Sequence, residues 1–231
     1  MLQTLLPIEA FYAAGAAGVT ALAFLARGQR RLVTGRRERI VDSVREAFDT
    51  ATFSTDGAGI PTIDGVYRKR RVKIDFIPDN MTVRRLPQLW VSVTALKPLA
   101  APHQGVSVLV RPSGADFFSL TSSMHTHFDP PSGFPWECLV RGQSELARNT
   151  LMRMAPAAAN ILSDAKVKEL AITDRGARVV YQLAEGRRGQ HLLLRQCDFD
   201  EARLEPPLLE RLIGDLDALA ACFGQSLEMK S

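Results

Sequence analysis

Reactive and redox-active side chains are scarce in this sequence, which holds three cysteines and four histidines among 231 residues. Cys138, Cys197 and Cys222 are widely spaced, odd in number and form no CxxC pair, which argues against both a zinc knuckle and a disulfide framework. Cys222 falls in a helical apolar stripe and reads as a small core residue, and a reducing compartment is the simpler setting. The sequence also lacks a GxSxG nucleophile elbow, a Walker phosphate loop and a dinucleotide-binding glycine fingerprint. No cofactor is therefore expected, and nothing assigns a catalytic residue.

The first eight residues contain no lysine or arginine, so a cleavable signal peptide, which begins with a basic region, is disfavoured. A hydrophobic run then extends from Leu5 to Ala26, uncharged from Ala10 onward and just long enough for about 20 helical residues to span a bilayer. Glu9 and Pro7 fall at its outer boundary, where an acid stays hydrated and a proline fits the first turn. The alternative for this Ala-rich stretch is a buried core helix. Residues 1–27 are read as a single transmembrane anchor.

Charge orients that anchor. The net charge of +4 conceals a local excess, seven arginines against two acids between Arg27 and Arg45. Arg27, Arg30, Arg31, Arg36, Arg37 and Arg39 all come after the span and nothing basic precedes it. The positive-inside rule then gives a single-pass protein of the cell inner membrane, N-terminus outside and C-terminal domain cytoplasmic. One face of the span carries Ala10, Ala13, Ala14, Ala17, Gly18 and Ala21 at three- and four-residue spacing, which lets helix backbones approach closely. Leu and Ile would have served lipid contact alone, so a partner helix is expected.

Residues 28–56 read as a basic juxtamembrane amphipathic helix running to about Phe53, with Ile40, Val41, Val44, Ala47 and Phe48 on one face. Its arginines suit anionic lipid headgroups, and its apolar stripe suits packing on the adjoining domain. Residues 57–231 are expected to form a soluble α+β domain of antiparallel sheet with packed helices. Strands are expected at Ile60–Tyr67, Val72–Ile77, Leu89–Leu96 and Val106–Val110, with others at Asp116–Leu120 and, as an edge, Trp136–Val140. The segment from Thr121 to Pro135 reads as an irregular loop. Ser144 should cap a helix that Pro156 kinks or splits. Val167–Thr173, Ala177–Ala184 and Gln190–Gln196 predict a three-stranded meander, and Pro206-Pro207 should open a final apolar helix closed by Gly224.

Two motifs carry chemistry. Arg68, Lys69, Arg70 and Arg71 join two expected strands and read first as a solvated hairpin turn, with contact to acidic lipid or an acidic partner as the alternative. No aromatic interleaving accompanies them, so nucleic acid is not an expected partner. His125, His127 and Asp129 form the best metal candidate, since HxH on an extended segment points both imidazoles to one face. Pro130 stands where the longer metallohydrolase pattern needs a further histidine, and only two other histidines exist, His103 and His191.

The expected function is a non-catalytic accessory or scaffolding subunit of an integral membrane complex, with the bilayer, other membrane subunits and anionic headgroups as partners. A lipid- or ligand-sensing domain is the second reading, and a metal-dependent hydrolase the third.

Overall fold

In the segment from Val72 to Phe76 every second side chain is buried, and Lys73 and Asp75 between them reach the opposite face. That period of two builds the sheet on which the domain rests. The computed structural model describes residues 39–56, 59–79, 86–97, 104–186, 199 and 202–224. Among these the strands are β1 (Thr50–Thr55), β2 (Pro61–Tyr67), β3 (Arg70–Asp79), β4 (Gln88–Ala95), β5 (Val106–Val110), β6 (Thr126–Phe128), β7 (Cys138–Gly142), β8 (Val167–Thr173) and β9 (Gly176–Glu185). The helices are α1 (Asp42–Arg45), α2 (Ala147–Leu162) and α3 (Pro206–Ala221).

All nine strands join one sheet in the order β1-β2-β3-β4-β9-β8-β5-β7-β6, and every pairing is antiparallel. The expected α+β class with antiparallel sheet and packed helices is what the described residues form. Two long helices lie on one face, α2 against β5 and β8 and α3 against β4 and β9, and they touch each other. The core is the layer between, where Ile74, Val93, Val108, Leu170 and Val179 meet Leu151, Met154, Leu209, Leu212 and Leu216. α3 begins as its sequence requires, with prolines in a first turn that has no use for their missing N–H groups, and Gly224 comes after it at φ +72°.

Several expectations need correction. The amphipathic helix does not reach Phe53: α1 has four residues, and Thr50–Thr55 is an edge strand paired with β2. Its stripe packs inward, because Ile40, Val41 and Val44 are buried in the core. The domain accordingly starts before residue 57. Asp116–Leu120 is not a strand but part of a loop leading to a 3-10 turn at Leu120–Ser123. The strand near Trp136 begins at Cys138 and is internal, flanked by β5 and β6, while the edge is β6, inside the expected loop. α2 runs unbroken through Pro156, which lies on the exposed side of the helix with Met152 and Arg153.

β8 and β9 form a hairpin as expected, turning through Asp174 and Arg175. Gly176 closes it at φ +142°, and a Cβ there would collide with the Ala95 carbonyl oxygen. The third meander strand, Gln190–Gln196, lies outside the described residues. Both flanks of β9 are taken, by β8 and β4. The anchor, residues 1–27, also lies outside. Among the described residues no helix is long and apolar enough to cross a membrane.

Candidate functional site on the helix-free face of the sheet

The face of the sheet away from the helices is polar, and its strand registers arrange the charges in rows. One row runs Lys73, Thr94, Arg178, Ala171, Ser107, Arg141, His127 across β3, β4, β9, β8, β5, β7 and β6. The next row, two residues along, runs Asp75, Ser92, Val180, Glu169, Leu109. Cations therefore stand in one row and acids in its neighbour, close enough to pair diagonally.

A bulge in β8 creates the most buried of these pairs. The register slips between Val167 and Glu169, leaving Lys168 as an extra residue. Val167 and Leu170 consequently both pack in the core, and Lys168 and Glu169 both reach the polar face. Glu169 is fully buried and accepts bonds from Ser107 Oγ (2.7 Å), Ser119 Oγ (2.7 Å) and the Leu120 backbone N–H (2.8 Å) on one oxygen. Its other oxygen makes no hydrogen bond and faces Arg178 Nη1 at 3.5 Å. Arg178 also donates from Nε to Ser92 Oγ (2.8 Å) and from Nη1 to the Phe118 carbonyl (3.1 Å).

Lys168 donates to the Arg111 carbonyl at 2.7 Å and pairs with Asp116 at 3.0 Å, both side chains almost wholly buried. Burial alone would raise the Asp116 pKa. The Lys168 ammonium and two bonds from Ser113 outweigh it and hold the carboxyl below its ordinary value of 3.8. Trp90 completes the packing, its ring 5.8 Å from Lys168 Nζ and 5.9 Å from the Phe118 ring. These contacts pin residues 111–124 as a strap across part of the polar face.

Beside the strap the face is open. A cleft of about 560 Å³ has β3 and β4 as its floor, with Arg178 of β9. Its walls are Leu120, Ser123 and Met124 of the strap, the Thr173–Arg175 turn and Gln143. Lys73 and Asp75 pair across the floor at 3.2 Å.

The basic turn lies elsewhere. Arg68 and Lys69 both take positive φ, as a two-residue hairpin requires. Arg68 pairs with Glu210, Arg70 with Asp217 at 2.8 Å, both acids belonging to α3, and Arg71 approaches Asp64 at 4.0 Å. The Lys69 N–H donates to Asp49 at 2.9 Å. Three of these four cations thus have a carboxylate partner within the domain, Arg71 at the longest distance. Arg39 is exposed, and its carbonyl accepts a bond from Arg203. Ala10, Ala13, Ala14, Ala17, Gly18, Ala21, Arg27, Arg30, Arg31, Arg36 and Arg37 lie outside the described residues.

His125, His127 and Asp129 are all exposed at the β6 edge. Among the described residues no group of three or more His, Cys, Asp or Glu side chains is placed to hold a metal ion. Cys138 is half-buried, and burial raises its thiol pKa, which disfavours the thiolate.

Sequence reasoning did not find Lys168, Glu169, Arg178, Asp116 or the cleft. A signal was present: in Val167-Lys168-Glu169-Leu170-Ala171-Ile172 the apolar period is three, then two, with two adjacent charges inside an apolar strand. That is the mark of a bulge. No protein-family model matches the chain, and no curated protein is detectably similar in sequence. What the fold itself defines is an α+β domain with a nine-stranded antiparallel sheet and two packed helices.

Proposed function

We propose that this protein is a non-catalytic accessory subunit of an integral membrane complex, tethered by its N-terminal segment, with the sheet domain as a rigid platform at the cytoplasmic face. The observation that carries this reading is how charge is used on the polar face. The Lys168–Asp116 pair, the Arg178 bond to the Phe118 carbonyl and the bonds from Ser119 and Leu120 to Glu169 fix residues 111–124 to the sheet, which suits a surface kept in one shape for a partner. The small-residue face of the N-terminal segment supplies the second support.

Sizing the tagged protein after solubilisation in mild detergent tests the reading: it should migrate in a larger assembly. Ala14→Leu with Gly18→Leu should release it from that assembly and leave it in the membrane, because bulky side chains separate helix axes yet favour insertion. Migration of the wild-type protein as a free monomer would sink the proposal.

A second reading, a ligand-sensing domain, is favoured by one feature. The cleft beside the strap is within the volume range of small-molecule sites, about 300–1,000 Å³, and mixes apolar with polar walls.

A further inference from the structure

Donors and acceptors in the cleft are not in balance. Asp75 is occupied twice, by Lys73 at 3.2 Å and by Thr62 Oγ1 at 3.4 Å. Gln143 spends its carbonyl oxygen on the Gly105 N–H at 2.8 Å, and its amide N–H groups make no bond to another described residue. Arg178 uses Nε and Nη1 on Ser92, Phe118 and Glu169, and its Nη2 makes no hydrogen bond to a described residue. Arg175 is exposed at the rim. Only its backbone N–H is engaged, by Thr173 Oγ1 at 3.2 Å, and among the described residues its guanidinium has no partner.

Two guanidinium groups and an amide thus face the cleft with donors to spare. Among the described residues lining it, the exposed Asp174 is the one carboxylate left unpaired. The complement of such a surface is an acceptor-rich head group, and planar guanidinium forks fit a carboxylate. Ile77, Leu96, Leu120 and Met124 line the same cleft and offer an apolar bed to the rest of a ligand.

The charge of the head group is set by the neighbouring acids. Lys73, Arg175 and Arg178 are matched against Asp75, Asp174 and the buried Glu169, so the site has no net excess of positive charge. A dianionic phosphate would meet three carboxylates close by, whereas a monoanion that replaces solvent on Arg175 and Arg178 meets less repulsion. We infer that the cleft binds a small organic monocarboxylate with an apolar tail, the carboxylate held by Arg175 and Arg178 and the tail lying along Leu120 and Met124. This rests on the ligand-sensing reading and is independent of whether a membrane partner exists.

Isothermal titration of the full-length protein in lipid nanodiscs, with empty nanodiscs subtracted, tests it. The probes are 4-phenylbutyrate, 4-phenylbutan-1-ol and 4-phenylbutyl phosphate, one shape with three head groups. The carboxylate should bind at one site per chain, at least tenfold more tightly than the alcohol and more tightly than the phosphate ester. Arg175→Gln should weaken carboxylate binding about tenfold and leave the thermal midpoint unchanged, since Arg175 sits on an exposed turn. Arg175→Lys should recover only part of that loss, because an ammonium lacks the fork.

Equal binding of alcohol and carboxylate, or Arg175→Gln binding as wild type, would overturn the carboxylate assignment and leave the cleft a ligand site. Tighter binding of the phosphate ester would overturn the monoanion argument. No heat from any probe up to low-millimolar concentration would remove the ligand-sensing reading together with this inference.

Discussion

One sheet presents two opposite solutions to burial. On the helix side Ile74, Val93, Leu170 and Val179 are covered by α2 and α3, and the contact is between apolar groups. On the other side Ser92, Ser107, Lys168 and Glu169 are equally inaccessible, yet they are covered by a strap held through ion pairs and hydroxyl bonds. The apolar side tolerates exchange of one hydrocarbon for another, because its interactions have no direction. The polar side does not, because each buried polar atom needs its own partner. The first side therefore accounts for stability, and the second for shape.

Glu169→Ala tests this contrast most severely. It strands the Arg178 guanidinium and removes the acceptor for Ser107, Ser119 and the Leu120 N–H. Breaking a buried pair from one side costs about 3–5 kcal/mol, and the slight exposure of Arg178 places the expected loss near the lower end. Urea unfolding measures it. The double substitution Glu169→Leu with Arg178→Met should recover only the part of that loss due to the stranded guanidinium, since Ser107, Ser119 and the Leu120 N–H still lack their acceptor. A double variant as stable as wild type would show that the buried donors around Glu169 need no partner, and the distinction between the faces would fail.

On the helix side the matching experiment is Leu212→Ala, at a fully buried position of α3 facing the core. A Leu→Ala change in a core costs about 2–5 kcal/mol through lost transfer energy and the cavity left behind. The two faces then differ in rescue rather than in raw cost. Leu212→Met should be close to neutral by the same measurement, whereas Glu169→Gln, also nearly isosteric, should not be.

The faces should also part company in acid. The Asp116 carboxyl is held below its ordinary value by Lys168 and Ser113 in the folded protein, against the opposing effect of burial. Such a group contributes stability that is fully present above its unfolded pKa, near 3.9, and is lost as pH falls through its lower folded value. Asp164 behaves alike, lowered by the Lys166 N–H and by Arg211 against the opposing effect of burial. Burial raises Asp215, which gives the opposite sign: its contribution is present below the unfolded value and lost as pH rises through its folded one. Asp116→Asn should thus be less stable than wild type at neutral pH, with the gap closing towards pH 3. A gap that is constant with pH would mean that the Lys168 pair carries no linkage.

These two faces were unequally legible in the sequence. Strict alternation in Val72-Lys73-Ile74-Asp75-Phe76 and the stripe Leu212, Ile213, Leu216, Leu219 display one buried face each, so β3 and α3 are readable from local pattern. β1 was hidden because Val44, Ala47 and Phe48 continue a helical spacing into it. Its strand state depends on β2, where Gly65 leaves room for Ala51 to lie close. The meeting of β4 with β9 joins residues some ninety positions apart, and no local signal encodes it. The cleft inherits that difficulty, since Lys73, Thr94 and Arg178 become neighbours only through the sheet register. The histidine motif was conspicuous for the opposite reason, being contiguous in sequence, and its side chains stand exposed at an edge strand.

The smallest expected effect separates ion pairs by solvent rather than by chemistry. Arg68–Glu210 and Arg178–Glu169 are both arginine–carboxylate pairs, yet the first has side chains 58% and 56% exposed and the second 13% and 0%. Water screens the exposed pair and leaves its long side chains entropy to lose, so such contacts contribute about 0–1 kcal/mol. Arg68→Ala should therefore shift the urea midpoint barely at all. Arg70→Ala should cost more, because Arg70–Asp217 is less exposed, at 20% and 31%, and Nε and Nη2 both engage the carboxylate. The same pair of substitutions bears on the basic turn as a membrane contact. With Arg68 and Arg70 already tied to α3, neither has a full charge to offer an anionic headgroup, so Arg68→Ala should leave binding to anionic vesicles unchanged. Loss of vesicle binding without loss of stability would show that Arg68 trades Glu210 for lipid at the surface, and the turn would then belong to the interface rather than to the fold.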